Sequence, residues 1–336
     1  MKAYEIREAN GIDSLNLVDR PNPKPGHGEV LIRVRATSLN YRDLAIVRGG
    51  LAGMLKNPLV PVSDGAGEIA EVGAGVTRFK KGDRVAGIFT QCWLAGPPIQ
   101  NMYATSLGGG VDGMLSEYVV LAEDGVVHIP AFLTYEEAAT LPCAAVTSWN
   151  ALVTEGKLQS GDSVLVMGTG GVSIFALQFA RMIGARVIAT SGSDAKLERL
   201  RKLGASDVIN YKTNEKWDVR VNELTDGQGV DHVIEVGGPG TLPRSINAVK
   251  TGGTVSLIGI LTGAAGEINP MPILFKNARM QGILVGSRQM FDEMNRAIEV
   301  NQLRPIVDRV FPFSEAREAY RYLESGAHFG KVCIAI

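Results

Sequence analysis

The chain has 336 residues, enough for about two domains. Its hydrophobic content of 45% and charged content of 21% are typical of a globular protein and exclude a disordered one. The net charge of −1 gives no general attraction to nucleic acid or to an anionic membrane, so we expect neither as a partner. There is no signal-peptide core and no apolar run of the roughly 18 residues that a membrane span needs. With three widely spaced cysteines, we expect a cytoplasmic protein without a disulfide framework.

The first 130 residues predict a β-rich, partly open barrel. Short alternating segments, such as 29–36, 65–73 and 119–122, are separated by turn-forming glycine, proline and aspartate. An aperiodic Gly/Pro-rich stretch at 92–115 interrupts them, and a functional cover and a plain surface loop remain equally good interpretations of it.

From Pro130 onward, apolar strands alternate with helical patterns. Thr134 and Glu137 have the spacing of a helix capping box. The predicted strands are residues 163–167, 186–190, 207–210, 232–236, 254–259 and 282–286. Six strands alternating with helices predict an α/β fold with a doubly wound parallel sheet and helices on both faces. A last strand, 330–336, is expected to return to the β-rich region.

The first of these strands runs directly into a glycine turn and a helix. The turn carries Gly168, Gly170 and Gly171, and the helix places apolar residues on one side. Such a turn holds a dinucleotide pyrophosphate because glycines allow close backbone approach and the helix offers free N–H groups and its positive dipole end. Ser173 replaces the third glycine of the usual pattern and is small enough for close helix–strand packing.

The end of the second strand predicts which dinucleotide is bound. Folds that prefer NAD place an acid there, on the ribose 2′-hydroxyl. Here the chain carries hydroxyls, including Ser191 and Ser193, and has no acid before Asp194, which we expect to cap a helix starting near Ala195. Hydroxyls and Lys196 can bind a 2′-phosphate, which an acid would repel. The sequence therefore favours NADPH over NADH.

Several motifs together resemble one enzyme family. They are Asn40-Tyr-Arg-Asp, Ser63-Asp-Gly-Ala-Gly-Glu-Ile, Gly82-Asp-Arg-Val, Ala138-Ala-Thr-Leu-Pro-Cys-Ala-Ala-Val-Thr, Gly168-Thr-Gly-Gly-Val, Leu203-Gly-Ala-Ser-Asp-Val-Ile-Asn-Tyr and His328-Phe-Gly-Lys. The chain resembles the medium-chain dehydrogenase/reductase superfamily, and most of all its zinc-independent branch of NADPH:quinone oxidoreductases and enoyl reductases. The resemblance implies a GroES-like catalytic domain of residues 1–130 and 289–336 around a Rossmann domain of residues 131–288. It also implies a homodimer or homotetramer.

The resemblance extends the set of predicted cofactor residues. Lys196 and Tyr211 stand where quinone reductases grip the 2′-phosphate, although either is also explained as a solvated lysine and a packed aromatic. Thr147 is expected to bond the nicotinamide or its ribose. The full set is Thr147, Gly168, Gly170, Gly171, Val172, Ser191, Ser193, Lys196, Tyr211, Val236, Gly237, Gly259, Ile260, Ile283, Val285 and Lys331.

The zinc ligands of the metal-dependent branch are largely replaced. Asn40 stands at the position of the first cysteine, and Ser63 with Asp64 stands where a His–Glu pair is found; only Cys143 matches. Catalytic zinc needs three ligands of the Cys, His, Asp or Glu type. We therefore expect no zinc, with weak metal recruitment by Asp64 and Cys143 as the alternative.

Without a Lewis acid, hydride transfer suits a substrate that is already electrophilic, such as a quinone or an α,β-unsaturated carbonyl. Tyr41 is the first candidate to hydrogen-bond the substrate oxygen, and Asn40 to position the cofactor ribose or the substrate. Asp43 and Asp64 are candidates to hold Tyr41, Arg42 or a water. Asn40 and Asp43 are equally explained as caps of a helix beginning near Arg42, and water can serve as the proton donor.

Two other functions remain open at this stage. One is an alcohol dehydrogenase or carbonyl reductase of the same superfamily, and the other is a non-catalytic cofactor-binding protein. Arg288 is interpreted either as a cation at the rim of the active-site cleft or as a surface arginine. The walls of the substrate pocket are expected from residues 41–55, 93–114 and 261–274.

Overall fold

The computed structural model describes residues 1–50 and 55–336, so residues 51–54 of the predicted pocket wall lie outside the described residues. The chain forms two compact units, Met1–Val146 with Val285–Ile336, and Thr147–Leu284. The predicted domain boundaries were 130/131 and 288/289. Residues 131–146 fall in the first unit because the helix that follows Pro130 packs on that unit's strands.

The strands come in the following order. They are β1 (Lys2–Glu5), β2 (Asn16–Asp19), β3 (Glu29–Leu39), β4 (Asp64–Val72), β5 (Arg84–Gly87), β6 (Tyr118–Ala122), β7 (Val126–His128), β8 (Ser163–Met167), β9 (Arg186–Ser191), β10 (Asp207–Asn210), β11 (Val230–Glu235), β12 (Val249–Leu257), β13 (Arg279–Gly282), β14 (Val307–Pro312) and β15 (Lys331–Ala335).

The α-helices are likewise given in chain order. They are α1 (Tyr41–Val47), α2 (Tyr135–Ala139), α3 (Val146–Trp149), α4 (Gly171–Ile183), α5 (Asp194–Lys202), α6 (Trp217–Leu224), α7 (Leu242–Ala248), α8 (Met271–Lys276), α9 (Arg288–Asn301) and α10 (Ala316–Glu324). The predicted capping box is present at α2, where Glu137 N–H donates to Thr134 Oγ1 at 3.2 Å and Thr134 N–H to Glu137 Oε2 at 2.8 Å. None of the described helices has the length and apolar character that crossing a bilayer requires.

The first unit is β-rich, as predicted, and is built around the long strand β3. Its larger sheet has the order β14-β15-β3-β4-β5-β7, with β6 also paired to β3. The C-terminal strand β15 returns to this sheet and pairs antiparallel with β3, which confirms the prediction for the last strand. As a result, the first residues of β4 and β15 both lie beside the last residues of β3.

The second unit contains the predicted parallel sheet, in the order β10-β9-β8-β11-β12-β13. The sixth predicted strand, 282–286, is wrong. The strand that pairs with β12 is Arg279–Gly282, and Val285 has a φ of 49°, which is incompatible with an extended strand. Ile283 makes one further backbone bond to β12, from its N–H to the Leu257 carbonyl at 2.9 Å, and both Ile283 and Val285 are buried beyond the paired strand. The true edge strand is largely polar and gives little periodic signal.

The start of α5 differs from the prediction by one residue. Ser193, and not Asp194, is the N-cap, and its Oγ accepts from Lys196 N–H at 3.5 Å. Asp194 is the first helical residue, where its charge still favours the helix dipole. Helix α1 likewise begins one residue early, at Tyr41, with Asn40 as its N-cap.

The glycine turn also yields a prediction about packing. Ser173 is 2% exposed, and its Oγ donates to the carbonyl of Met167 at 2.5 Å, so the helix packs closely on the end of β8. Ser173→Val adds volume at this contact and should lower the free energy of unfolding by about 1–3 kcal/mol. Ser173→Ala, which adds none, should cost less in the same urea titration. Equal losses in the two variants would contradict close packing here.

Candidate functional site

Four polar residues of the first unit meet where three strand ends converge. Asn40 follows β3 and caps α1, Asp64 begins β4 opposite Ser38, and Lys331 begins β15 beside the register pair of Val332 with Leu39. Asp43, the third residue of α1, lies beside them, and its Oδ2 accepts from the backbone N–H of Asn40 at 2.8 Å. The topology therefore gathers residues that are far apart in sequence.

The Lys331 ammonium is the centre of this cluster. The residue is 3% exposed, and Nζ donates to Asn40 Oδ1 at 2.5 Å and to the carbonyl of Leu39 at 2.6 Å. It also lies 3.9 Å from Oδ2 of the fully buried Asp64. Lys331 was predicted to contact the cofactor. In the structure its ammonium is hydrogen-bonded to Asn40 and to the Leu39 carbonyl, since a buried charge needs partners.

Each carboxylate oxygen of Asp64 accepts a hydrogen bond. Its Oδ1 accepts from Ser63 Oγ at 2.7 Å, and its Oδ2 accepts from the backbone N–H of Cys143 at 3.2 Å. Burial raises the pKa of Asp64, and the Lys331 ammonium opposes that rise. The carboxylate therefore ties three segments of the first unit together.

The former zinc ligands do not fit a catalytic zinc ion. Burial raises the pKa of the Cys143 thiol, and the Asp64 charge raises it further, whereas zinc binds the thiolate. Each Asp64 oxygen already accepts a hydrogen bond, and the Lys331 ammonium lies 3.9 Å from one of them, where it would repel a metal cation. Within residues 1–50 and 55–336, no cluster of three His, Cys, Asp or Glu side chains can hold a metal.

Tyr41 is placed differently from its neighbours. It is 45% exposed, and within the described chain its phenol forms no hydrogen bond. Asp43 and Asp64 do not hold it, as their hydrogen bonds go to the groups named above. Arg42 is held by the carbonyl of Leu107 at 2.9 Å and by Ser106 Oγ at 3.0 Å.

Arg288 is also paired within the first unit. Its guanidinium donates to Asp124 Oδ1 at 2.6 Å and to the Asp124 carbonyl at 3.0 Å. This pairing accounts for the residue without a ligand.

The glycine turn of the second unit is open where a phosphate would lie. Gly168 has a φ of 75°, which an L-residue rarely adopts. A side-chain carbon placed on Gly168 or Gly170 would meet nothing within 4 Å. Gly171 and Val172 then begin α4, whose first N–H groups lack helical partners. These features are the ones that pyrophosphate binding requires.

The end of β9 is lined by hydroxyls. Ser191 is 4% exposed, and its Oγ accepts from the N–H of Ser193 at 3.3 Å. Asp194 Oδ1 accepts from Asn210 Nδ2 at 2.7 Å, and Asn210 is the register partner of Ser191. Tyr211 lies over Gly192: a side-chain carbon on Gly192 would lie 2.9 Å from its Oη.

Sequence reasoning missed Lys212 at this end of the unit. Its Cε lies 3.0 Å from the same point above Gly192, so the Lys212 side chain passes close to the Tyr211 ring. Only its position directly after Tyr211 signalled it. Lys196, in the first turn of α5, adds positive charge at the N-terminus of that helix.

The predicted nicotinamide residues of the second unit also come together. The N–H of Thr262 donates to the Gly237 carbonyl at 2.7 Å, which joins the loop after β11 to the loop after β12. A side-chain carbon on Gly259 would lie 2.1 Å from the Val236 carbonyl, so only glycine allows this approach. Ile260 is 54% exposed, whereas Ile283 and Thr147 are buried. Of the remaining predicted residues, Val285 belongs, like Lys331, to the first unit.

The Asp43 carboxyl predicts a dependence of stability on pH. Burial raises its pKa to about 6, while the Arg42 charge opposes the rise. The folded protein therefore holds this proton more tightly than the unfolded chain, so its contribution is complete below about pH 4 and is lost as the pH rises towards 6. In Asp43→Asn the fall in the free energy of unfolding across this range should shrink by up to about 3 kcal/mol.

Urea unfolding from about pH 4 to pH 7 measures this difference. Asp19→Asn, at a side chain that is 82% exposed, serves as the control and should keep the wild-type slope. An Asp43→Asn protein with the wild-type slope would show that Asp43 is already ionised at low pH.

The Lys331–Asp64 pair gives a second prediction. Lys331→Met leaves a buried carboxylate without its cation, and we expect a loss of about 3–5 kcal/mol in the free energy of unfolding. Lys331→Met combined with Asp64→Asn should recover part of that loss, because the uncompensated charge is gone. Losses that simply add in the double variant would contradict direct coupling of the two residues.

Two family models match the chain. One, described as alcohol dehydrogenase GroES-like domain, matches residues 26–131, and the other, described as zinc-binding dehydrogenase, matches residues 171–299. Among relatives, a zinc-type alcohol dehydrogenase-like protein of Schizosaccharomyces pombe is 46% identical over 336 residues, covering 98% of this chain and 97% of the relative. A quinone oxidoreductase of Lama guanicoe is 28% identical over 345 residues, covering 100% of this chain and 98% of the relative.

Solved structures agree with these matches. A Sinorhizobium meliloti protein assigned as an alcohol dehydrogenase has a TM-score of 0.94 and 42% identity, covering 100% of this chain and 98% of the other. The mycobacterial protein Rv1454c, solved in complex with NADPH, has a TM-score of 0.83 and 26% identity, with 100% of both chains covered. The chain thus belongs to the medium-chain dehydrogenase/reductase superfamily and is an oxidoreductase of its alcohol dehydrogenase-like or quinone oxidoreductase type.

Proposed function

We propose that this protein is an NADPH-dependent, zinc-independent oxidoreductase that delivers hydride to a quinone or an α,β-unsaturated carbonyl compound. The observation that carries the proposal is the buried contact of Lys331 with Asn40 and Asp64. It places an ammonium group beside the carboxylate that the metal-dependent branch would use near its zinc. Asp64 already accepts two hydrogen bonds, and burial keeps Cys143 a thiol, so neither is ready to bind zinc. The chain's own polar groups must therefore support the reaction.

The choice of NADPH rests on the end of β9. Hydroxyls occupy this end, the nearest acid is bound to Asn210, and Tyr211 and Lys212 both reach over Gly192. A 2′-phosphate gains charge-assisted hydrogen bonds in such surroundings. A 2′-hydroxyl lacks the strand-end carboxylate that accepts its hydrogen bond in NAD-preferring folds. The binding of NADPH by the mycobacterial relative supports this choice.

The choice of substrate follows from chemistry. A bound cofactor would supply a hydride. A conjugated acceptor would then develop negative charge on its oxygen, which hydrogen-bond donors of this chain could stabilise. The exposed Tyr41 phenol is the candidate donor on this chain, and solvent water is the alternative source of the proton. Asn40 is held in one orientation by Lys331, so it is available to position a ligand without reorganising. A small-molecule carbonyl or quinone is therefore the proposed partner.

An alcohol dehydrogenase or carbonyl reductase is the second candidate. It is favoured by the zinc-type alcohol dehydrogenase-like relative, which has the higher identity of the two relatives compared. A non-catalytic cofactor-binding protein would have the same glycine turn and no turnover. The homodimer or homotetramer remains a proposal drawn from the family resemblance.

One experiment separates these candidates. Purified protein is titrated with NADPH and NADH, and the absorbance of the reduced cofactor is then followed with quinones, enones, simple ketones and alcohols, with and without a chelator. We expect tighter binding of NADPH and turnover of quinones or enones that the chelator does not change. Alcohol turnover that the chelator abolishes would contradict the proposal, and binding without turnover would favour the non-catalytic function.

The proposed cofactor preference predicts the effect of Ser191→Asp. A carboxylate at the end of β9 should repel the 2′-phosphate and weaken NADPH binding on the order of tenfold or more, while NADH binding is maintained or improved. Ser191→Asn, a neutral residue of the same size as aspartate, is the matched control. Calorimetric titration of both cofactors measures the effect. An equal change for NADPH and NADH would contradict the assignment of Ser191 to the phosphate end.

A further inference from the structure

We propose that Glu235 is a positioning residue that holds the loops after β11 and β12 in the arrangement that receives the nicotinamide half of the cofactor. It would not touch the substrate or the reacting atoms itself. The inference rests on the proposed function, since it takes these loops as the nicotinamide end of the site.

The Glu235 carboxylate is completely buried and accepts four hydrogen bonds. Oε1 accepts from the N–H groups of Gly237 at 2.6 Å and Gly238 at 3.0 Å and from Thr241 Oγ1 at 2.7 Å. Oε2 accepts from Ser245 Oγ. Within the described chain no cation pairs with it, so its charge is balanced by oriented donors alone, most of them in the loop after β11.

The main chain of the same residue holds the second loop. The carbonyl of Glu235 accepts from the N–H groups of Ile258 at 2.9 Å and Gly259 at 3.2 Å. Glu235 is therefore joined to both loops, one through its side chain and the other through its backbone.

Thr262 closes the arrangement from the other loop. Its Oγ1 donates to the Gly237 carbonyl at 2.8 Å and accepts from the N–H of Gly240 at 2.8 Å. The peptide group between Gly237 and Gly238 is thus held at both ends, its N–H by Glu235 and its carbonyl by Thr262. Its orientation is fixed before any ligand binds.

This arrangement matters because the loops contain Val236 and Gly259, whose contacts with a nicotinamide would come from backbone groups, and Gly237 between them is held in place by Glu235 and Thr262. Backbone donors and acceptors bind a ligand only when their N–H and C=O groups point towards it. An apolar residue at 235 would fill similar space but leave the buried N–H groups of Gly237 and Gly238 without an acceptor. Those peptides would then turn to find other partners, and the nicotinamide end would lose its shape.

The test compares two ligands that differ in the nicotinamide. NADPH carries both halves, whereas 2′,5′-ADP carries only the adenosine half and its 2′-phosphate. For Glu235→Leu we expect NADPH binding to weaken by on the order of tenfold while 2′,5′-ADP binding is unchanged. Glu235→Gln keeps an oxygen that can accept the loop donors, so it should restore most of the NADPH affinity. Calorimetric titration of both ligands measures this split.

A second variant keeps the test valid if Glu235→Leu does not fold. Thr262→Val removes the hydroxyl that holds the Gly237 carbonyl and should produce the same split between the two ligands. Thr225→Val is its matched control, because that hydroxyl caps the end of α6 and accepts from Gly229 N–H at 2.9 Å. The control should leave binding of both ligands unchanged.

The contrary results are distinct. Equal weakening of NADPH and 2′,5′-ADP in Glu235→Leu and in Thr262→Val would show a general structural role and overturn the inference. Unchanged binding of both ligands would overturn it as well. If the wild-type protein binds neither ligand, the proposed function fails, and this inference fails with it.

Discussion

A charge buried at the meeting of three strand ends governs the candidate catalytic site. An ammonium group with 3% exposure is tolerated only when partners replace its water, so Lys331 requires the Asn40 amide, the Leu39 carbonyl and the Asp64 carboxylate. These requirements determine what the remaining groups can do. The Asp64 carboxylate balances the charge of Lys331 and accepts a hydrogen bond from the backbone of Cys143, and Lys331 fixes Asn40 in one orientation. Tyr41, the first residue of α1, is 45% exposed.

The second unit uses the same physical device with the opposite sign. The buried Glu235 carboxylate has no cation, and oriented N–H and O–H donors balance its charge. The loop that supplies these donors is thereby set before a ligand arrives. At the other end of the proposed cofactor site, Ser191 and Ser193 present hydroxyls, and one oxygen of the Asp194 carboxylate accepts a hydrogen bond from Asn210.

Much of the fold could be predicted from the sequence because its signals are local. The glycine turn at Gly168, the capping box of Thr134 and Glu137 and the apolar strands β8 to β12 depend on neighbouring residues. The prediction of the edge strand β13 failed because its residues show no alternation of apolar and polar side chains, while the apolar Ile283 and Val285 after it resemble a strand. Helix starts were misplaced by one residue, since Ser193 and Asp194 are both good capping residues.

The contacts within the sites were harder to predict because they join distant residues. The hydrogen bond from Lys331 to Asn40 spans 291 positions, and only the return of β15 to β3 brings the two together. The family motif led us to predict a cofactor contact for Lys331 and gave no sign of its bond to Asn40. Glu235 was missed because an acid at the end of a buried strand has no periodic signature, and its donors become visible only when the loop is folded.

The central claim, that the polar network around Lys331 takes the place of a metal centre, is tested most directly by metal content. The purified protein is dialysed against zinc, freed of loosely bound ions and analysed for zinc and protein, with reductase activity measured on the same samples. The account predicts zinc far below one ion per chain and activity that zinc loading does not change. About one zinc ion per chain, with activity that depends on it, would contradict the account.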